Sequence, residues 1–386
     1  MKKNSMLVLA LMAIALVALA ACGQPATPVA QTAAPAAPTT APAATGDTIK
    51  IGALLDFTGP VADLGPKFRA GIELALEEAN YTVAGHPIQL IVEDSATSVD
   101  VAVEKFKKLA DKDQVKIIIG PLMGDAHNAI APLAQEKKVL MTTLINGQWE
   151  NTNKTYLMYP TTVDAQTYPF GKYVYEKLGY KTMVGIAADY AGKRGYADGV
   201  YKGFEAAGGK VLQKIYAPLG TPDYSPFISQ LQKADVVMYA LEGPGPVARF
   251  VYQYRQAGNK GPMVTITQDG DYTPEALAEL KDTALGIQGE ATYSFKLDNA
   301  LNKKFVEAMT KKTGKWPSSS EQNAYVMAKV VLAGLEKTGG DVDVAKLFPA
   351  ITSSKMDTPS GPLSWCKEGV AITDMYVTQA EKVGDK

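Results

Sequence analysis

The amino-acid sequence predicts an α/β protein with two lobes, in which sheets of mainly parallel strands are flanked by helices. From Ile49 onward, short apolar runs typical of buried strands alternate with longer stretches of helical periodicity. That alternation favours parallel strands covered by helices on both faces. The alternation pauses around Tyr156–Val163 and then resumes, which indicates a second lobe. A chain of 386 residues is long enough for two domains of roughly 100–200 residues each.

The composition is that of an ordinary globular protein. The net charge is −1 and 46% of the residues are hydrophobic, so the sequence offers no strongly basic surface for nucleic acid. Cys22 and Cys366 are the two cysteines, which are too few for a disulfide framework. Cys366 is interpreted as a free thiol.

The first 46 residues are not expected to belong to the fold. Lys2 and Lys3 precede an apolar run, Met6–Ala21, which is the pattern of a signal peptide over residues 1–21. Leu19–Cys22 (LAAC) resembles a bacterial lipobox, which implies lipidation of Cys22 and attachment to the outer face of the cell membrane. The alternatives are an ordinary signal peptide with an incidental cysteine and an uncleaved membrane anchor. Residues 22–46 are almost wholly Ala, Pro and Thr and predict an extended tether.

The first unit of the predicted fold shows where a ligand would be bound. Ile49–Leu55 is an apolar and partly β-branched run that predicts a buried strand. Asp56–Pro60 has the composition of a turn, and Pro66 suits the first turn of a helix, where its missing N–H costs nothing. Apolar residues at helical spacing follow. In a parallel sheet, ligands are bound by the loops that leave the carboxyl ends of the strands.

The remaining elements repeat this order of strand, loop and helix. The first lobe is predicted to continue with the strands Ile88–Val92, Val115–Ile119 and Val139–Leu144, a helix over 99–109 and a helix through Ile130 and Leu133. The second lobe is predicted to contain the helices Phe170–Leu178, Gly199–Ala207, Phe227–Lys233 and Val247–Ala257 and the strands Met183–Ala187, Val211–Tyr216, Asp235–Ala240 and Met263–Ile266. Two later helices are predicted at Asn302–Thr313 and Tyr325–Thr338.

No catalytic motif stands out in the sequence. The nucleophile elbow G-x-S-x-G, the zinc motif H-E-x-x-H and the P-loop are missing. His86 and His127 are the two histidines, so a catalytic triad or a histidine metal site is hard to build. His127 is interpreted as a solvated or locally hydrogen-bonded residue at the start of a helix, with a ligand contact as the alternative. The sequence therefore predicts a binding protein without metal or cofactor, not an enzyme.

Several stretches together carry a family resemblance: IGALLDFTGPVADLG, IQLIVEDSATSVDVAVEKFKKLA and VKIIIGP in the first lobe, and GPLSWCKEGV at Gly361–Val370. They resemble type I periplasmic binding proteins, in the branch of the leucine/isoleucine/valine-binding proteins, which are solute receptors of ABC importers. The resemblance implies two Rossmann-like lobes joined by a three-crossover hinge. Lobe 1 would contain residues 47–161 and 293–361, and lobe 2 residues 162–292 and 362–386. It also implies a monomer that meets an ABC permease in the membrane.

The family's ligand contacts, carried over residue by residue, imply one half of a site on lobe 1. Gly124 falls where amino-acid-binding members use a serine for the ligand carboxylate, and Asp125 follows it. The amides at the start of the next helix could still bind an anion. Asn146 occupies the place of a threonine with the same role, and its amide can both donate and accept. Leu64 replaces an aromatic residue that covers the ligand.

The resemblance places the other half of the site on lobe 2. Gly192 falls at the position of a family tyrosine, with Tyr190 two residues before it, and the register of this loop is open by one residue. Asp269 matches the acidic residue that pairs the ligand ammonium, where a charge-assisted pair would be strong. An exposed carboxylate in an Asp-Gly turn is the alternative for this residue. Glu242 is a weaker candidate of the same kind.

These residues predict an extracytoplasmic, lipid-anchored receptor that captures an amino acid or a similar small polar solute between the lobes by hinge closure. The departures from the family pattern named above argue against a plain branched-chain amino acid, and leave an amide, a larger amine or an aromatic compound open. Two other functions stay open as well. One is a ligand sensor of the same fold, and the other is an enzyme that uses Asp125 and Asp269 as paired carboxylates.

Overall fold

The computed structural model describes residues 46–145, 147, 153–266 and 274–382, and two six-stranded sheets organise them. Helices flank both sheets, and most of the strands run parallel to their neighbours. The predicted α/β fold class is confirmed. Within the described ranges, no helix is both long and apolar enough to span a membrane.

The first sheet is built around its central strand. It contains β1 (Ile49–Leu55), β2 (Thr82–Val83), β3 (His86–Asp94), β4 (Ile117–Ile119), β5 (Leu140–Thr142) and β6 (Tyr156–Leu157), in the order β2-β3-β1-β4-β5-β6. β2 is antiparallel to β3, and the other strands are parallel. Every residue of β1 except Lys50 is buried, as expected of a strand covered on both faces. The carboxyl ends of β1 and β4 therefore open at the same edge of the sheet.

The helices of the first sheet are α1 (Gly65–Glu78), α2 (Val99–Lys107) and α3 (Gly124–Lys137). α1 has Pro66 in its first turn and buries Phe68 and Ile72 in the core. α2 begins after Ser98, whose side chain accepts a hydrogen bond from the N–H of Val101. Local capping and an apolar stripe thus account for where these helices begin and which face they bury.

The second sheet repeats the plan of the first. It contains β7 (Thr182–Ala188), β8 (Lys210–Ala217), β9 (Val236–Ala240), β10 (Met263–Ile266) and β11 (Gln288–Ala291), parallel to one another in the order β11-β10-β9-β7-β8. The helices of this part are α4 (Val163–Glu176), α5 (Ala191–Ala206), α6 (Ser225–Ile228), α7 (Pro244–Gln256) and α8 (Pro274–Leu280). The loops that leave β7 and β9 are the ones that matter for the site below.

The remaining part of the chain contributes to both sheets. It forms α9 (Ala300–Thr313), α10 (Ser319–Thr338) and α11 (Val344–Thr352), then the small antiparallel sheet of β12 (Met356–Thr358), β13 (Gly361–Trp365) and β14 (Ala371–Ile372), and finally β15 (Tyr376–Gln379). α10 packs closely on α1. A Cβ added to Gly71 on α1 would collide with the carbonyl oxygen of Glu321 on α10. β15 joins the second sheet antiparallel to β11. The lobe boundaries given above stay predictions.

Each predicted strand is present, but some helices differ from their predicted bounds. α5 begins at Ala191 rather than at Gly199, and α4 also begins before its predicted start. The first turn of α5 buries Gly192 and Lys193, so a residue without a side chain and a lysine stand where a helical pattern would show large apolar residues. The predicted helix 227–233 is reduced to the single turn α6.

Candidate functional site

The loops that leave β4 and β7 meet between the two sheets. α3 begins at Gly124 and α5 at Ala191, with Met123 and Tyr190 in the capping positions, and neither capping side chain bonds the first-turn amides. A Cβ added to Gly124 would lie 3.1 Å from the backbone nitrogen of Gly192, so the two helix N-termini are in contact. Each helix N-terminus carries a partial positive charge. Their meeting point therefore favours an anionic group.

Two small cavities lie at this contact, and Tyr190 lines both of them. The larger cavity, of about 90 Å³, is lined by residues that include Asp56, Ser95, Thr97, Met123 and Asp125. The smaller cavity, of about 10 Å³, is also lined by Leu122, Gly124, His127, Ile145, Val163, Gly192 and Tyr196. It has room for no more than about one water molecule. The structure thus brings together predicted residues from both halves of the site.

Asp56 is a buried carboxylate at the carboxyl end of β1, where the sequence predicted only a turn. It is 1% exposed, and its Oδ1 accepts hydrogen bonds from the Ser95 hydroxyl at 2.8 Å and the Thr97 N–H at 2.6 Å. Burial raises the pKa of Asp56, and these hydrogen bonds offset part of that effect. Oδ2 has no hydrogen-bond partner among the described residues. Asp56 thus lines the larger cavity and keeps one buried carboxylate oxygen that no described residue bonds.

His127 reaches the smaller cavity from the first turn of α3. It is 1% exposed, and its Nδ1 is hydrogen-bonded with the hydroxyl of Tyr156. Nε2 has no partner in the part of the chain that the structure describes. Burial lowers the pKa of His127 to about 3, so the imidazole is neutral at physiological pH. The residue is buried and locally hydrogen-bonded rather than solvated.

A network of buried polar groups lies behind Tyr190, on the second-sheet side. The Tyr190 hydroxyl donates to Glu242 Oε2, and Nζ of Lys193 lies 3.5 Å from the same oxygen. Glu290, on β11, accepts a hydrogen bond from Nε2 of Gln166 at 2.6 Å. Burial raises the pKa of Glu290 to about 8, while Gln166 and Lys193 act in the opposite direction. Glu242, predicted as a partner for a ligand ammonium, already has a cation of the protein beside it.

A larger cavity of about 520 Å³ opens between the first turn of α1, the start of α7 and the loop from α9 to α10. Trp316 lines it, is 51% exposed, and has its ring centroid 4.7 Å from that of Phe295. Asp63 and Lys67 line it from the first-sheet side, and Pro244 from the second. Small-molecule sites occupy about 300–1,000 Å³, so this groove, unlike the two cavities above, has the volume of a ligand site.

The predicted site residues are not all described. Asn146 and Asp269 lie outside the described residues, and their roles stay predictions. Asp56 and Lys193 were missed by sequence reasoning. Asp56 directly follows a buried strand, which is a usable signal, whereas Lys193 offers none because a helical lysine is typical of an exposed position. No group of three or more His, Cys, Asp or Glu residues is placed to hold a metal ion within the described ranges.

Comparisons with known proteins agree with this architecture. The chain matches the family model of periplasmic binding proteins over residues 48–385. It is 28% identical over 355 residues to the Leu/Ile/Val-binding protein homolog 6 of Brucella abortus, and the match covers 89% of this chain and 90% of that relative.

Two solved structures are similar along most of their length. One is a solute-binding protein of an ABC transporter from Rhodopseudomonas palustris in complex with 3,4-dihydroxybenzoic acid, with a TM-score of 0.81 and 27% identity, covering 87% of this chain and 94% of that chain. The other is the leucine-binding protein LivK of Thermotoga maritima, with a TM-score of 0.78 and 26% identity, covering 86% and 95%. The similar structures thus include one with an aromatic acid and one named for an amino acid.

Proposed function

Because the chain belongs to the periplasmic binding protein family, we propose that it captures a small carboxylate-bearing solute between its two sheets and delivers it to the membrane permease of an ABC importer. Like the relatives named above, it is a solute-binding protein of the ABC transporter type and not an enzyme. One observation carries the proposal. Two helix N-termini whose capping side chains make no hydrogen bond to the first-turn amides, one from each sheet, meet at Gly124 and Gly192.

A carboxylate suits this contact for electrostatic reasons. The first-turn amides of α3 and α5 present partial positive charge, and an oxygen anion can accept hydrogen bonds from both. Asp56 and Asp125 line the larger cavity beside the contact, and acidic groups there favour a ligand donor, either a hydroxyl or an ammonium. α-Amino acids and hydroxybenzoates both combine a carboxylate with such a donor. Asp269 stays the proposed partner of an ammonium group.

Capture would proceed by movement of the two sheets relative to each other. The contact between Gly124 and Gly192 joins loops of different sheets, so it forms only when these loops come together. The groove beside Trp316 also has walls from both sides, and closure would narrow it and expel water. The bound solute would then be enclosed by residues that no single sheet supplies.

A lipid anchor is part of the same proposal. The family acts outside the cytoplasm, and Cys22 with the tether 22–46 lies outside the described residues. A lipidated Cys22 followed by an Ala/Pro/Thr-rich spacer would hold a monomeric receptor near its permease. Labelling of the wild-type chain with a fatty-acid probe, and release of a Cys22→Ala variant from the membrane fraction, are the expected results. A wild-type chain that takes up no label would count against the anchor alone.

The ligand class can be tested by thermal shift with molecules that differ in one group. The set contains leucine, 4-methylpentanoate and isoamylamine, together with 4-hydroxybenzoate, benzoate and phenol. A ligand at ~100 times its dissociation constant stabilises the protein by about 2.7 kcal/mol, which raises the melting temperature by a few degrees. Members with a carboxylate are expected to act, and isoamylamine and phenol are expected to have no effect. Equal shifts from the carboxylate-free members, or no shift from any member, would contradict the proposal.

A further inference from the structure

Lys193 is a fully buried cation beside the candidate site. Its side chain is 0% exposed, and its Nζ lies 3.5 Å from Glu242 Oε2 and 5.4 Å from the ring centroid of Tyr196. A buried ammonium is costly unless an opposite charge pairs it, and Glu242 supplies that charge. Lysine is almost never fully buried unless it is paired. The arrangement is therefore too costly to be explained as packing alone.

The two carboxylates of this network are not equivalent. Glu242 accepts a hydrogen bond from the Tyr190 hydroxyl and also forms an ion pair with Lys193. Both interactions favour the ionised carboxylate. Glu290 is hydrogen-bonded to the amide of Gln166, and burial raises its pKa to about 8, so it holds a proton at neutral pH. Among the described residues of the network, Lys193 and Glu242 then remain as a cation and an anion whose charges compensate each other.

The pairing of Lys193 with Glu242 matters because the network ends at the cavity wall. Tyr190 lines both small cavities, and its ring lies against Gly192, where an added Cβ would be 2.7 Å from Cε2 of the tyrosine. Glu242 is the next residue behind Tyr190. Without Lys193, it would be a buried carboxylate one side chain away from the bound solute. Such a carboxylate attracts an ammonium group.

We propose that Lys193 is a specificity-determining positioning residue, which compensates the charge of Glu242 so that Glu242 orients Tyr190 instead of pairing a ligand ammonium. The inference rests on the proposed function, because it concerns the solute bound at the same contact. The ligand class it predicts is a small carboxylic acid whose part next to Tyr190 carries no amine and is recognised there by shape and hydrogen bonding. A hydroxylated aromatic acid has this chemistry.

The test compares ligand pairs that differ only in an amine. Leucine with 4-methylpentanoate, phenylalanine with 3-phenylpropanoate, and 4-(aminomethyl)benzoate with 4-methylbenzoate are titrated calorimetrically into the full chain. Lys193→Met should raise the affinity for the amine-bearing member, relative to its partner, at least tenfold over wild type. Glu242→Gln should not raise this ratio. The double variant, Lys193→Met with Glu242→Gln, should return it to the wild-type value.

A lysine with a purely structural role predicts a different outcome. Both members of each pair would then lose affinity by the same factor in Lys193→Met, and the added Glu242→Gln change would leave the ratio where it was. That pattern would overturn the inference. It would leave the proposed function intact, because wild type would still bind carboxylates.

A second measurement needs no ligand. In Lys193→Met, the carboxylate of Glu242 is buried without its cation, so its ionisation destabilises the folded protein more than in wild type. The melting temperature of this variant should therefore fall more steeply than that of wild type as the pH rises above about 4.3, the ordinary pKa of a glutamate. The double variant should recover the wild-type slope. Equal slopes in wild type and Lys193→Met would overturn the inference, whereas a wild-type chain that binds no member of any pair would contradict the proposed function instead.

Discussion

The two walls of the candidate site treat buried polar groups differently. On the first-sheet wall, Asp56 and His127 each keep one side-chain atom without a hydrogen-bond partner among the described residues. On the second-sheet wall, Lys193 and Glu242 compensate each other, and Glu290 is bonded to an amide. The first wall holds Asp56 and His127 with neutral hydrogen-bond partners, whereas the second wall pairs a cation with a carboxylate of the protein. Two sheets of the same layout therefore supply two half-sites of different chemistry.

Glu290 on the second wall and His127 on the first respond to pH in opposite directions. The pKa of Glu290 is raised from 4.5 to about 8, so its stabilising contribution is fully present below about pH 4.5 and is lost as the pH rises through about 8. The pKa of His127 is lowered from 6.5 to about 3, so its contribution is present above about pH 6.5 and is lost as the pH falls toward 3. Burial also raises the pKa of Asp56, so its contribution to stability decreases with rising pH, as that of Glu290 does.

The largest effect is expected from replacing Glu290, the carboxyl group with the raised pKa on the second-sheet side. Glu290→Gln keeps an acceptor for the Gln166 amide but cannot ionise, so it should raise the free energy of unfolding by about 3 kcal/mol at pH 7, at about 1.4 kcal/mol per pKa unit. Urea unfolding at pH 7 and pH 5 measures this gain, which should shrink at the lower pH. Glu307→Gln, at an exposed position of α9, is the matched control and should not raise the free energy of unfolding. A gain in unfolding free energy that does not depend on pH would show that the ionisation of Glu290 is not its cause.

A smaller effect of opposite pH direction is expected on the first-sheet side. Wild type should lose about 2 kcal/mol of unfolding free energy through His127 between pH 6.5 and pH 5. His127→Gln keeps a group that can bond the Tyr156 hydroxyl and cannot be protonated, so its stability should fall less over that interval. His86→Gln replaces the other histidine, which bonds the carbonyl of Asp47, and should leave the wild-type loss in place. Identical curves for the two variants would mean that His127 does not set the acid limit.

The sequence could predict the strands because they are continuous apolar runs, such as β1, whose composition differs from that of the helices. It could not predict the start of α5, since the buried side of its first turn carries Gly192 and Lys193. The sequence could not predict the role of Lys193 for a related reason. Its burial depends on Glu242 and Glu290, which are distant in the chain and approach only because β7, β9, β10 and β11 are neighbours in one sheet. No local pattern contains that arrangement.

The smallest effect is expected where the two walls touch. Gly124→Ala would place a Cβ 3.1 Å from the backbone nitrogen of Gly192, so the loops would have to move apart by a few tenths of an ångström. The affinity for a ligand found by thermal shift should fall about tenfold, or about 1.4 kcal/mol, while the unfolding free energy of the ligand-free protein should change little. Gly261→Ala is the matched control, because its Cβ would make an ordinary contact at 3.4 Å with the Tyr254 hydroxyl.

Equal affinities in Gly124→Ala and Gly261→Ala would separate the contact from ligand binding. The two helix N-termini would then meet without binding the carboxylate. The larger groove would be the next place to look for the bound solute. There, Trp316 offers an aromatic surface, and Asp63 and Lys67 place opposite charges on the first-sheet side. Quenching of Trp316 fluorescence by ligand, kept in Gly124→Ala and lost in Trp316→Leu, would locate the solute in that groove instead.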